Sequence, residues 1–203
     1  INSGYFEKQI IPIEVKHKRE KIEFKIDEHP KLSNLESLSI LKPAFQKDGS
    51  VTPGNASGLN DGAGALVLAT EEAANSAGLT PKARILGYAH AGVRPEVMGI
   101  GPVPAVQSLL KKTGLSISDF DVIESNEAFA SQALAVNKNL KLDPKKVNPN
   151  GGAIALGHPI GATGAIIAIK ALYELERTNS SKALITMCIG GGQGIALAIE
   201  RMS

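Results

Sequence analysis

An α/β fold, with a mixed sheet covered by helices on both faces, is predicted by three features of this 203-residue sequence. From Lys82 onward, short runs of strand-forming residues alternate with longer runs that have helical spacing. The last two short runs, Ala183–Cys188 and Ile195–Glu200, flank a glycine-rich turn too short for anything but a hairpin, so the sheet cannot be wholly parallel. Hydrophobic residues make up 43% of the chain and mean hydropathy is +0.00, enough apolar material to bury a core. Strand order does not follow from these features.

Taken in order, residues 1–50 show little periodicity. Ile10–Val15 and Ile22–Ile26 read as two short strands within a long polar stretch that cannot form its own core. Gly54–Gly64 is dense in small residues, a composition that lets backbone approach a ligand closely or simply makes a turn. Ala65–Ala69 is a continuously apolar run of the kind buried on both faces of a sheet. Glu71–Ala77 reads as a helix with Thr70 as N-cap and Gly78 as its stop. Arg84–Ala89 reads as a strand, Val93–Gly101 as a loop, and Pro104–Thr113 as a helix begun by proline and ended by Gly114. Asp121–Glu124 is a further strand. Ala128–Leu140 is a helix that carries Phe129, Ala133, Val136 and Leu140 along one side, and Ile160–Leu175 is the last helix.

Three stretches carry candidate chemistry. Asn148–Gly164 sets His158 among glycines and prolines where a loop becomes a helix, flanked by residues too small to cover it. The positive end of that helix disfavours the imidazolium and keeps the ring a neutral base. A loop histidine bonded to backbone explains the same pattern equally well on these residues alone. Asn126-Glu127-Ala128-Phe129-Ala130 follows one strand, and Met187-Cys188-Ile189-Gly190-Gly191-Gly192 follows another. Strand ends feeding a helix or turn are where α/β sheets expose reactive groups. Cys188 by itself reads as an inert small core residue, although the bare N–H groups of the glycines beyond it could depress a thiol pKa or cradle an oxyanion.

In that order along the chain, Asn126–Ala130, Gly151–Ala165 and Cys188–Gly194 resemble the thiolase family. The resemblance covers essentially the whole chain but only the later half of a thiolase, whose halves are similar βαβαβαββ units. It implies a thiolase-like mixed five-stranded sheet, the C-terminal half of the duplicated fold. It also implies three divisions: 1–59 as the end of a loop domain that covers the site, 60–80 as a strand and helix completing the N-terminal domain, and 81–203 as the C-terminal domain.

The chemistry implied is a Claisen condensation of acetyl-CoA units or its reverse, thiolysis of a 3-ketoacyl-CoA, as in acetyl-CoA acetyltransferases and other thiolases of fatty acid metabolism. A cysteine in the earlier half attacks the acyl group. His158 activates that cysteine and binds one thioester oxygen, and Cys188 moves the α-proton. Asn126 fixes a water beside His158, and the Gly190 N–H serves a second oxyanion site. Ser57 contacts the pantetheine arm, while Met98 and Phe129 line the acyl and pantetheine slot, though both residues read equally well as packing. No prosthetic group is implied, because coenzyme A thioesters are the substrates. The expected partners are acyl-CoA, coenzyme A, the N-terminal half of the same protein, and further copies in a homodimer or homotetramer. Cys188 is the only cysteine, so the nucleophile is absent and the fragment is expected to be inactive alone.

Composition excludes several classes. A net charge of +2 gives no electrostatic case for nucleic acid. The densest basic cluster, Lys16–Lys21, is followed by carboxylates and reads as a solvated face or, more weakly, as an edge meeting coenzyme A phosphates. No apolar run approaches the about 20 residues that span a bilayer, and no leader opens the chain, so the cytoplasm is expected. A single cysteine rules out an internal disulfide and fits a reducing compartment. Ile1 as first residue suggests a cut product. Gly157, Gly161 and Gly164 lack dinucleotide-binding spacing, and no group of ligating residues has metal spacing. The rival readings are a ketoacyl-synthase-type condensing enzyme, a non-catalytic acyl-CoA-binding module, and a hydrolase with Cys188 as nucleophile.

Overall fold

The computed structural model describes residues 1–202, and four strands form its main sheet: β3 (Ala83–Gly92), β4 (Val122–Ser125), β5 (Lys182–Ile189) and β6 (Gln193–Arg201), in the order β3-β6-β5-β4. β4 runs parallel to β5, while β6 is antiparallel to both β5 and β3, so the sheet is mixed as predicted. Where a fifth strand is expected there is a single parallel bridge, Ile123 to Val147. Ile123 donates to Lys146 O and accepts from Asn148 N, which completes the outer edge of β4. Asn148 has φ 45° and turns the chain away, so the pairing stops after one bridge.

Helices cover both faces. β5 explains why, since none of its residues is exposed and successive side chains alternate between two cores. Leu184 points to one side, where it packs with Ala105, Val106 and Leu109 of α3 (Pro102–Thr113) and Val136 and Leu140 of α4 (Ala130–Leu140). Ala183 and Ile185 point to the other side and meet Ile167, Ala171 and Leu175 of α6 (Thr163–Thr178). α3 starts with Pro102 at its first position and ends at Gly114, whose φ of 73° lets its N–H reach Leu110 O at 2.9 Å. The segment before it, expected as a loop, is a 3-10 turn over Pro95–Ile100. Its last glycine, Gly101, lies so close to Gly194 at the start of β6 that neither position has room for a Cβ.

The first 80 residues are organised differently. β1 (Ile13–His17) and β2 (Glu20–Phe24) form a separate antiparallel hairpin, and α1 (Leu35–Ser39) is a single capped turn. α2 (Glu71–Ser76) forms as expected, with Thr70 Oγ1 accepting from Ala73 N at 3.1 Å. Ala65–Ala69, read as a strand that completes the sheet of the N-terminal domain, stands unpartnered and forms no strand by itself: Leu66, Val67 and Leu68 are 46%, 88% and 76% exposed. The run is apolar enough for a sheet interior, but among the described residues no neighbouring strand pairs with it. A second difference concerns Phe129, whose φ of −143° places it outside α4 as the residue before the helix. The inward stripe of α4 is therefore Gln132, Val136 and Leu140. No helix is long and apolar enough to cross a membrane among the described residues.

Candidate active site

His158 stands at the end of a loop that leaves Val147 and passes through α5 (Ala153–Leu156) before reaching α6. Gly157, with φ 97°, makes the final bend, and a Cβ there would press on the Asn60 carboxamide at 2.6 Å. Asn60 Oδ1 in turn accepts the His158 backbone N–H at 3.0 Å, and Leu59 bridges to His158 in parallel. Asn60 also reaches His29 Nδ1 at 3.2 Å, while His29 Nε2 lies 3.2 Å from Ile154 O. The His29 ring thus donates from Nε2 to the carbonyl and accepts from Asn60 at Nδ1.

The tautomer of His158 follows from its neighbours. Its Nδ1 lies 2.7 Å from Thr163 Oγ1, the first residue of α6, and that hydroxyl donates its one proton to Pro159 O at 2.9 Å. Thr163 can then only accept from His158, so Nδ1 carries the proton and Nε2 presents its lone pair. Nε2 faces Asn126 Nδ2 at 3.4 Å, a donor that suits a lone pair. Half-burial of the ring lowers its pKa from 6.5. Burial, in place of the helix dipole, is thus what favours the neutral ring.

Asn126 sits one residue past β4, its backbone N–H bonded to Thr186 O on β5 at 3.0 Å. Its side chain is 2% exposed and its Oδ1 has no hydrogen-bond partner, so an acceptor is left free beside the imidazole. Asn126 and Thr163 both line a cavity of about 870 Å³, shared with Ser125, Gly152, Ala153 and Pro159.

Cys188 occupies the far end of β5, two residues beyond the Thr186 that binds Asn126. The thiol and the carboxamide therefore lie at the same end of two adjacent parallel strands. No hydrogen bond joins Cys188 to His158 among the described residues, and Cys188 lies outside the cavity lining. Burial pushes the Cys188 thiol up from 9.0 and its own backbone N–H offsets this only in part, so the expected depression by the glycines does not occur. The raised pKa favours the protonated thiol at neutral pH. Gly190 is exposed, with open space where a Cβ would stand. Gly191 and Gly192 have φ 88° and 97° and make the turn itself.

The remaining candidates lie in the segments that flank this site. Ser57 is bonded through both its N–H and its hydroxyl to Ala128 O, at 3.0 and 3.1 Å. Its neighbour Ala56 bridges to Phe129, whose ring meets Phe45 edge-on at 6.1 Å. Met98 is half-buried in the 3-10 turn, beside Gly99, where a Cβ would meet Gln132 at 2.6 Å. The structure thus brings His158 and Asn126 into contact, sets Cys188 on the adjoining strand end, and ties Ser57 to the Phe129 segment.

Sequence reasoning missed Asn60, Thr163, Glu127 and Asn148. Asn148 donates and accepts across the backbone of Ser125 at 2.8 and 2.9 Å, and also bonds Glu127. The Glu127 carboxylate accepts from Ile154 N at 3.3 Å and lies against the Cα of Gly152, where no Cβ could fit. Thr163 had a local signal, a hydroxyl five residues after the histidine at the helix start. Asn60, 98 residues from His158, had none.

Comparison with known proteins identifies the family. The thiolase C-terminal domain family matches residues 79–201, and the thiolase N-terminal domain family matches residues 1–72. The chain is 55% identical over 204 residues to a beta-ketothiolase of Cupriavidus necator and, over the same length, to an acetyl-CoA acetyltransferase of Escherichia coli strain K12; each match covers 100% of this chain and 52% of the relative. The crystal structure of Bacillus anthracis acetyl-CoA acetyltransferase superimposes with a TM-score of 0.96 at 54% identity, covering 99% of this chain and 51% of that one. The chain spans about half the length of these relatives.

Proposed function

The chain belongs to the thiolase family, and we propose that it supplies the base and the proton donor of an active site that transfers an acyl group between coenzyme A thioesters. The observation that carries this reading is His158 Nε2, left as a lone pair by the Thr163 contact and set against the Asn126 carboxamide. The attacking thiolate comes from a cysteine outside these 203 residues, because Cys188, the only one present, is buried and held protonated.

In thiolysis, His158 takes the proton from that cysteine, whose sulfur attacks the keto carbon of a 3-ketoacyl-CoA. The bond between the α-carbon and that carbon breaks, and the departing enolate of acetyl-CoA takes its proton from Cys188. The Cys188 thiolate then takes the thiol proton of coenzyme A, whose sulfur removes the acyl group, and His158 returns its proton to the freed cysteine. In condensation the steps run backwards and Cys188 accepts the α-proton. Asn126 holds a water beside His158 as one oxyanion site, and Gly190, with open space where a Cβ would stand, serves the second through its N–H. One such donor is worth about 3 kcal/mol in the transition state. Ser57, Met98 and Phe129 border the acyl and pantetheine path.

The same reading assigns residues 1–59 to a covering loop domain, 60–80 to the sheet of the N-terminal domain and 81–203 to the C-terminal domain; the exposed apolar run Leu66–Leu68 supports it. A homodimer or homotetramer acting in the cytoplasm on fatty acyl thioesters completes the proposal.

The test has two arms. The 203-residue chain alone should not cleave acetoacetyl-CoA, and cleavage would overturn the external nucleophile. In the protein that joins this chain to its nucleophile, Cys188→Ala should abolish proton exchange at the substrate α-carbon. Exchange at the unaltered rate would remove Cys188 from the mechanism, and an acyl group trapped on Cys188 would reverse its role.

A further inference from the structure

Three residues on one face of α6 grip the His158 loop in sequence. Thr163 accepts from His158 Nδ1 at 2.7 Å, Lys170 Nζ donates to Gly151 O at 2.6 Å, and the Glu174 carboxylate accepts from Asn150 Nδ2 at 2.7 Å. Going up the helix from 163 to 174, the loop positions held run down from 158 to 150. Positions 163, 170 and 174 lie within one stripe at helical spacing, and all three are buried: Thr163 2%, Lys170 6%, Glu174 4%. The seven residue steps from Thr163 to Lys170 span about 10 Å of helix, and the loop from Gly151 to His158, which includes α5, runs beside that span.

β4 supplies the matching face. Glu124 and Asn126 are two residues apart and point to the same side; Glu124 Oε2 lies 2.8 Å from Lys170 Nζ, and Asn126 faces His158 Nε2. The His158 end of the loop is thus held between Thr163 and Asn126, while at the Gly151 end Lys170 bonds the loop and Glu124 bonds Lys170. Arg177 completes the array by pairing with both oxygens of Glu174, at 2.6 and 2.8 Å.

An ammonium and a carboxylate with only 7% and 1% of their side chains exposed are a poor way to stabilise a core, since an apolar pair of similar size serves as well or better. What an apolar pair cannot do is donate a hydrogen bond to the Gly151 carbonyl. We propose that Lys170 is a positioning residue: charge-balanced by Glu124, it fixes the Gly151 end of the loop and so sets where the His158 imidazole stands. This concerns the same loop as the acyl-transfer reading, but its test reads loop order without any coenzyme A ester, so either idea can fail alone.

The experiment compares amide hydrogen exchange in the protein that carries this chain and in three variants of it. The loop amides of Ile154, Gly157 and His158 are measured against the core amides of Leu184 and Ile185. In Glu124→Gln, Lys170 keeps its bond to Gly151 O, and loop protection should stay within about threefold of wild type. In Lys170→Met, and in the apolar double replacement Glu124→Leu with Lys170→Met, loop protection should fall by at least about tenfold more than core protection. The His158 imidazole, loosened and more hydrated, should titrate closer to an ordinary histidine. Equal losses in loop and core, or an unchanged loop and His158 titration in the double variant, would show that the pair only supports the core. A double variant that does not fold would say the same.

Discussion

Under α3 and α4 the sheet is covered by Ala105, Val106, Leu109, Phe120 and Val136, none with any exposed surface, and Gln132 is the buried polar exception on that side of α4. Under α6, Ile167, Ala171 and Leu175 share the face with Glu124, Lys170 and Glu174. One side of the sheet is built almost wholly from dispersion and water exclusion. The other spends part of its burial on charges whose partners belong to the loop that carries His158. The comparison teaches that stability and positioning are divided between the two faces, and that each should respond to different perturbations.

The largest effect should come from the apolar face. Leu109→Ala removes a side chain with no exposure and should cost about 2–5 kcal/mol in denaturant unfolding, while His158 keeps its titration in the folded fraction. A shift in that titration as large as the stability loss would break the division between the faces.

A smaller effect belongs to pH. Burial pushes the Glu124 carboxyl up to about 7, with Lys170 offsetting part of the rise. A carboxyl that binds its proton more tightly folded than unfolded favours the native state most below its ordinary pKa of 4.5, and that contribution is lost as pH rises through about 7. Unfolding midpoints of the wild type should carry a decline between about pH 5 and about pH 8 that is missing from Glu124→Gln, which does not titrate. Parallel curves for the two proteins would contradict the buried-charge account of the α6 face.

Thr163→Val should have the smallest effect on stability, about 2 kcal/mol from the two hydrogen bonds its hydroxyl makes. Its sharper consequence is local. Without the acceptor at Nδ1, the imidazole is no longer held in one tautomer, and nitrogen NMR should show a mixture.

Much of this architecture was legible from local pattern. Ala183–Cys188 and Asp121–Glu124 announced themselves as strands because they are apolar or buried on both sides and bounded by turns. The Gly114 stop and the Thr70 cap were equally clear, since capping depends on residues within a few positions. Ala65–Ala69 carried the same signal as β5 and still makes no strand, because a pattern specifies a buried face and cannot supply the partner that buries it. The three motif loops pointed to His158, Asn126 and Cys188, and the structure joins the first two directly. Lys170 was invisible for a different reason. A lysine in mid-helix reads as a solvated position, and what buries it is Glu124, 46 residues earlier, together with a loop carbonyl. Asn60 was hidden in the same way by its distance along the chain from the backbone N–H it accepts.

The most direct test of the site is the proton on the His158 ring, read from the nitrogen-15 spectrum of the wild-type chain at neutral pH. A neutral ring protonated at Nδ1 and bare at Nε2 is the predicted result, because Thr163 has no proton to give and Asn126 has one. A ring protonated at Nε2, or doubly protonated, would leave no lone pair to receive a thiol proton and would contradict the account at its centre.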